Sequence, residues 1–188
     1  MMRTTRSAAA SFKDVRLLTL TAMFIAMSIV FGKVLSVTAG PFRISFENLP
    51  ILTAGILLGP VPGCVTGILA DIIGCMIVGW AINPVITVGA ACIGLISGLL
   101  FRVMPDRQIA RLPEYVFRVF ASVFPAHIIG SMLIKSAGLM LYYHYTLPQV
   151  SLRVPLYLII GTAESLIISA MLSNSAVRSL TVRYDKNE

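Results

Sequence analysis

Residues 41–63 read PFRISFENLPILTAGILLGPVPG. A polar segment carrying Arg43, Glu47 and Asn48 runs into an apolar stretch that stops at Gly59 and Pro60 and restarts after Pro62 and Gly63. Glycine and proline back to back mark a turn, so two apolar runs joined this tightly read as a helical hairpin. Its solvent follows from the rest of the chain. Of 188 residues, 57% are apolar and 12% charged, about half the charged share of an ordinary soluble domain. A hydrocarbon core of about 30 Å takes about 20 apolar residues per helical span, with every backbone polar group satisfied within the segment.

The apolar runs therefore predict helices over 17–36, 47–59, 61–79, 83–103, 115–143 and 154–177. Pro84 and Pro155 fall where the first turn of a helix tolerates proline. The expected fold is an all-α integral membrane protein: one domain over 1–188, a compact bundle of six transmembrane helices, multi-pass in the cell membrane. The first run is followed by comparable ones and lacks an evident cleavage site, so the amino terminus is expected to be retained. Cys64, Cys75 and Cys92 all lie within apolar runs and read as packing residues, with no disulfide framework, metal site or cofactor indicated.

Eleven of the fifteen basic residues sit before the first span, around the fourth loop or after the last span. Because cytoplasmic segments carry the Lys/Arg excess, both termini are expected to be cytoplasmic, with a basic tail at 1–16 and a second tail at 178–188. The net charge of +7 is then a topology signal. The basic clusters have no interleaved aromatic platform, so nucleic acid is not expected as a partner. PFRISFENLP falls outside the cell, where Arg43 and Glu47 are either ligand-facing or solvated loop charges.

Ionisable side chains near the bilayer centre cost about 2.5–3.5 kcal/mol each on insertion scales and face the bundle interior. Asp71, His127, Lys135 and Glu164 are the candidates. His127, Ser131 and Lys135 recur every four residues and share a stripe. With a rise of 1.5 Å per residue, Lys135 lies about 12 Å and Glu164 about 16 Å below the external end. They can pair with each other or each meet a ligand. Asp71 shares a small-residue ridge with Gly63, Gly67 and Cys75 and reads as a helix contact; Ala90, Gly94 and Gly98 form another, and Gly161, Ser165, Ser169 and Ser173 a third. Trp80 and Asn83 place an aromatic face beside an amide at the external end, where Trp80 is either an interfacial anchor or a stacking platform. Ala22 and Ala26 form a small pair on the first helix.

No GxxxxGK[ST] phosphate loop occurs, so any active transport must be powered by another protein. Two runs, FRISFENLPILTAGILLGPVPGCVTGILADIIGC, which extends the opening stretch, and INPVITVGAACIGLISGLLF, together resemble the substrate-binding S components of energy-coupling factor (ECF) vitamin transporters, most closely the folate type, over about residues 15–175. The block from Leu49 to Gly63 and the downstream Asp71 are the most specific part. The resemblance implies a non-enzymatic subunit that binds a vitamin, most readily folate. It also implies a partner module of one transmembrane coupling protein and two ATPases, with Ala22 and Ala26 contacting the coupling protein. Folate's glutamate tail would meet Arg43, Lys135 and Arg153; its pterin would meet Trp80 with Asn48, Asn83, Glu47 and Glu164. Alternatives are another vitamin or precursor on the same scaffold, such as pantothenate, riboflavin or a queuosine precursor, a standalone carrier or channel, and, remotely, an intramembrane serine protease using Ser97 and His127. The last is disfavoured because Gly94 precedes Ser97 by three positions where Gly-x-Ser-Gly needs two.

Overall fold

The computed structural model describes residues 15–39, 42–104, 112–174 and 177. The basic tail before Val15, the tail after 177, and Arg107 and Arg111 lie outside the described residues, as does the Arg43 side chain. The described residues fold, as the sequence predicts, into six helical segments. Helix α1 (Val15–Ile29) continues into a π-helical turn at Val30–Val34. A short antiparallel hairpin, β1 (Val37–Ala39) and β2 (Phe42–Ile44), follows, with Val37 opposite Ile44. Then come α2 (Asn48–Leu58), α3 (Pro60–Val78) and α4 (Pro84–Val103). The fifth span is α5 (Leu112–Ala126), a π-helical segment (His127–Lys135) and α6 (Ser136–Tyr143). The sixth joins the short α7 (Leu147–Ser151) to α8 (Arg153–Ser173).

Five of these segments, Val15–Val34, Pro60–Val78, Pro84–Val103, Val116–Tyr143 and Leu147–Ser173, are long and apolar enough to cross a membrane. Helix α2 is not: its eleven residues rise only about 16 Å. Every one of them is buried, because a helix apolar on all sides belongs in the interior. It packs against α1, α3 and α4, and supplies Ile51, Leu52, Ile56, Leu57 and Leu58 to a core shared with Leu17, Ile93, Val119, Val123, Ile168 and Leu172.

The small-residue ridges of α3 and α4 pack against each other, as the sequence expects. Helices α3 and α4 make the most extensive contact in the bundle, with Gly94 so close to α3 that a Cβ there would strike the Gly63 carbonyl. The α2–α3 turn rests on Gly59, at φ 115° and ψ 174°, a region open in practice to glycine alone. Two basic residues read only as topology signals also close helix ends: Arg102 Nη2 donates to Leu58 O (3.2 Å), and Arg118 Nε donates to Phe101 O (2.9 Å). Cationic donors at a helix C-terminus meet both its free carbonyls and its dipole.

Candidate functional site

A cavity of about 540 Å³ opens at one end of the bundle, the end away from Val15 and Ser173. Its place follows from helix length. Helix α3 runs nineteen residues from the shared turn and α2 only eleven, so α2 stops about 12 Å short of the far end of α3. The space above its first residues is the cavity, and Ser45 and Glu47 of the segment entering α2 form part of the wall.

Two lysines reach this space from π-helical turns. Lys33 sits in Val30–Val34 and Lys135 closes His127–Lys135; such widened turns concentrate at functional sites. Pro125, just before the second, removes a rung of the α-helical ladder and helps the wider turn to form. Lys33 Nζ lies 4.8 Å from the centroid of the Trp80 ring, within cation–π range. Across the cavity, Arg153 Nη2 donates to the Tyr157 hydroxyl (2.8 Å), and Arg153 Nη1 is buried with no hydrogen-bond partner. Tyr143 and Tyr145 complete an aromatic side of the wall, while the buried Asp71 also faces the cavity and accepts from Thr87 Oγ1 at 2.6 Å.

Of the residues singled out in the sequence, Glu47, Trp80, Asn83, Lys135 and Arg153 come together on the wall. Asn83 is there mainly as a helix cap: its Oδ1 accepts from Val85 N (3.0 Å) and Ile86 N (3.4 Å), and its Nδ2 donates to Gly138 O (3.3 Å). Asn48 and Glu164 are not on the wall. Asn48 lies behind Lys135 and accepts from its Nζ at 3.1 Å. Glu164 is fully buried, 2.6 Å from His127 Nε2, so the direct Lys135–Glu164 pair that their depths allowed does not form; each has a nearer polar partner on another helix. Arg43 lies in β2 opposite Thr38.

Lys33, Tyr143, Tyr145 and Tyr157 line the cavity without being singled out in the sequence, and Asp71, which reads there as a helix contact, faces the cavity as well. Two signals were present. The run Tyr142, Tyr143, His144, Tyr145 clusters aromatic residues at one span end, and Tyr157 lies four residues after Arg153 on the same helical face. Among the described residues no group of acidic, histidine and cysteine side chains could hold a metal ion.

Residues 12–178 match the family model described as "ECF-type riboflavin transporter, S component". Among solved structures, the chain resembles FolT bound with folic acid at 18% identity, covering 80% of this chain and 89% of that one, with a TM-score of 0.61. It also resembles the S component for biotin from an ECF-type ABC transporter, at 16% identity over 91% of this chain and 96% of that one, with a TM-score of 0.58. No curated protein sequence matches it.

Proposed function

Since the chain belongs to the family of ECF-type transporter S components, membrane subunits that bind a small vitamin and are not enzymes, we propose that it captures folate from outside the cell. The observation that carries this reading is the cavity: about 540 Å³, within the range of small-molecule sites, with Trp80 and tyrosines for a planar ring and Lys135 and Arg153 for an anionic tail. Glu47 and Asp71 supply acceptors for the ring's N–H groups. Arg43 is proposed as a further cation above the cavity, on the strength of its place in the hairpin that leads to Ser45.

Riboflavin is the second reading, favoured by the description of the matching family. It is uncharged and would use the aromatic wall without the cations. Thermal-shift measurements on purified protein with folate, riboflavin, biotin and pantothenate separate the two. Folate is expected to give the largest stabilisation; a shift with another vitamin and none with folate would sink the substrate assignment.

Uptake is proposed to need a partner module of one coupling protein and two ATPases, because the sequence carries no GxxxxGK[ST] phosphate loop to power it. The basic residues at the other end of the bundle support termini on the cytoplasmic side. Terminal tags should be cleaved by protease only in permeabilised cells; cleavage in intact cells would reverse the orientation.

A further inference from the structure

His127 and Glu164 are off the cavity wall yet joined to it by hydrogen bonds. Lys135 Nζ donates to Asn48 Oδ1 (3.1 Å), Asn48 Nδ2 to Ser131 Oγ (3.5 Å), Ser131 Oγ meets His127 Nδ1 (3.3 Å), and His127 Nε2 meets Glu164 Oε2 (2.6 Å). With His127 neutral and its hydrogen on Nε2, every bond takes a consistent direction. An ammonium only donates, so it takes the asparagine oxygen. The asparagine nitrogen then donates to Ser131, whose own hydroxyl proton goes to Nδ1. His127 keeps its hydrogen on Nε2 and gives it to the carboxylate. The chain runs donor to acceptor, without reversal, from a cation on the wall to an acid in the core.

A second path leaves the same histidine. Its ring lies 5.8 Å, centroid to centroid, from that of Tyr157, whose hydroxyl accepts from Arg153 and whose face lies 5.3 Å from the guanidinium carbon. Both paths end on cations with donors to spare: Lys135 has hydrogens beyond the one given to Asn48, and Arg153 Nη1 is buried without a partner.

We infer that His127 and Glu164 are positioning residues that aim Lys135 and Arg153 at a carboxylate of the ligand, and so set the preference for an acidic vitamin over a neutral one. The inference rests on the vitamin-binding reading above and says which chemical class the cavity takes. A lysine ammonium on a four-carbon stem has no geometry of its own, and a charge-assisted hydrogen bond weakens steeply when misaligned. Bonds in a buried chain polarise one another, so breaking any member loosens the end that meets the ligand. An ion pair serving only to join two helices would instead affect every ligand alike.

The test compares acids with their neutral esters: folate and biotin against their methyl esters, by titration calorimetry on the full-length protein in detergent. The wild type is expected to bind at least one acid and to prefer it to its ester. Ser131→Ala removes one hydroxyl and no packing; it should lower the ligand-free melting temperature modestly, because two buried groups lose their partner, and weaken binding of the acid about tenfold while leaving the ester's affinity nearly unchanged. Glu164→Ala should show the same selectivity at a larger cost in stability, because His127 loses its buried partner, and Glu164→Gln, which keeps an acceptor for Nε2, should restore most of both losses. If Glu164→Ala does not fold, Ser131→Ala decides. Parallel losses for acid and ester, or no loss for the acid, overturn the inference. Binding of riboflavin alone overturns it and leaves the vitamin-binding function standing; binding of no vitamin overturns both.

Discussion

Asn83 shows how one side chain is divided between fold and site. The sequence offered it as an amide for the ligand, and it does line the cavity, but its oxygen caps α4 and its nitrogen holds the Gly138 carbonyl. An asparagine directly before a proline that opens an apolar run is also the pattern of a helix N-cap, so this role was legible too. Asn83→Ala should therefore lower unfolding stability by about 0.5–2 kcal/mol, the usual loss for such a cap, read from denaturation midpoints. Folate affinity should fall less than it does in Lys135→Ala, and a larger loss in Asn83→Ala would make the amide a ligand contact. Lys135 and Glu164 mark where residue-level reading stops. Counting 1.5 Å per residue gave their depth, but a rise says nothing of azimuth, and azimuth put Asn48 beside one and His127 beside the other.

At the level of elements, periodic apolar runs broken by glycine and proline located all six helices, because bilayer thickness and backbone hydrogen bonding leave few other solutions. The π-helical turns that carry Lys33 and Lys135 left no such mark, since their composition is that of the helix around them. The two three-residue strands, one just before PFRISFENLP and one inside it, were equally hidden, being too short to alternate visibly. The glycine ridge was legible, and it makes a sharp prediction. Gly94 packs against the Gly63 carbonyl, and backbone cannot move aside as a flexible side chain can. Gly94→Leu should cost more than the 1–3 kcal/mol typical of an overpacked core and yield protein that is degraded or aggregates on extraction. A monodisperse variant with wild-type melting would show that α3 and α4 can separate cheaply.

For the whole molecule, the useful contrast is between inner and outer faces. Ala22 and Ala26 are exposed on α1 while Leu17, Thr21 and Ser28 of the same helix are buried, so the alanine pair points away from the cavity and the bundle core. A shallow face of small side chains allows another helix to approach closely, as the proposed coupling protein would need. Replacing both alanines with leucine should leave folate affinity within about twofold, a small fraction of a kcal/mol, and abolish uptake when the complete transporter is reconstituted. Loss of binding would instead show that the pair supports the bundle.

The short central helix bears on how the protein is made. Eleven residues fall well below the roughly 20 needed for independent insertion, so α2 cannot leave the translocon by itself. It must wait for α3 and enter the lipid with it as one reentering unit folded at Gly59. In a background without native cysteines, a single cysteine placed in α2 should therefore stay open to a membrane-impermeant thiol reagent in ribosome-stalled chains that expose α2 but not α3, and become protected once Val78 has emerged.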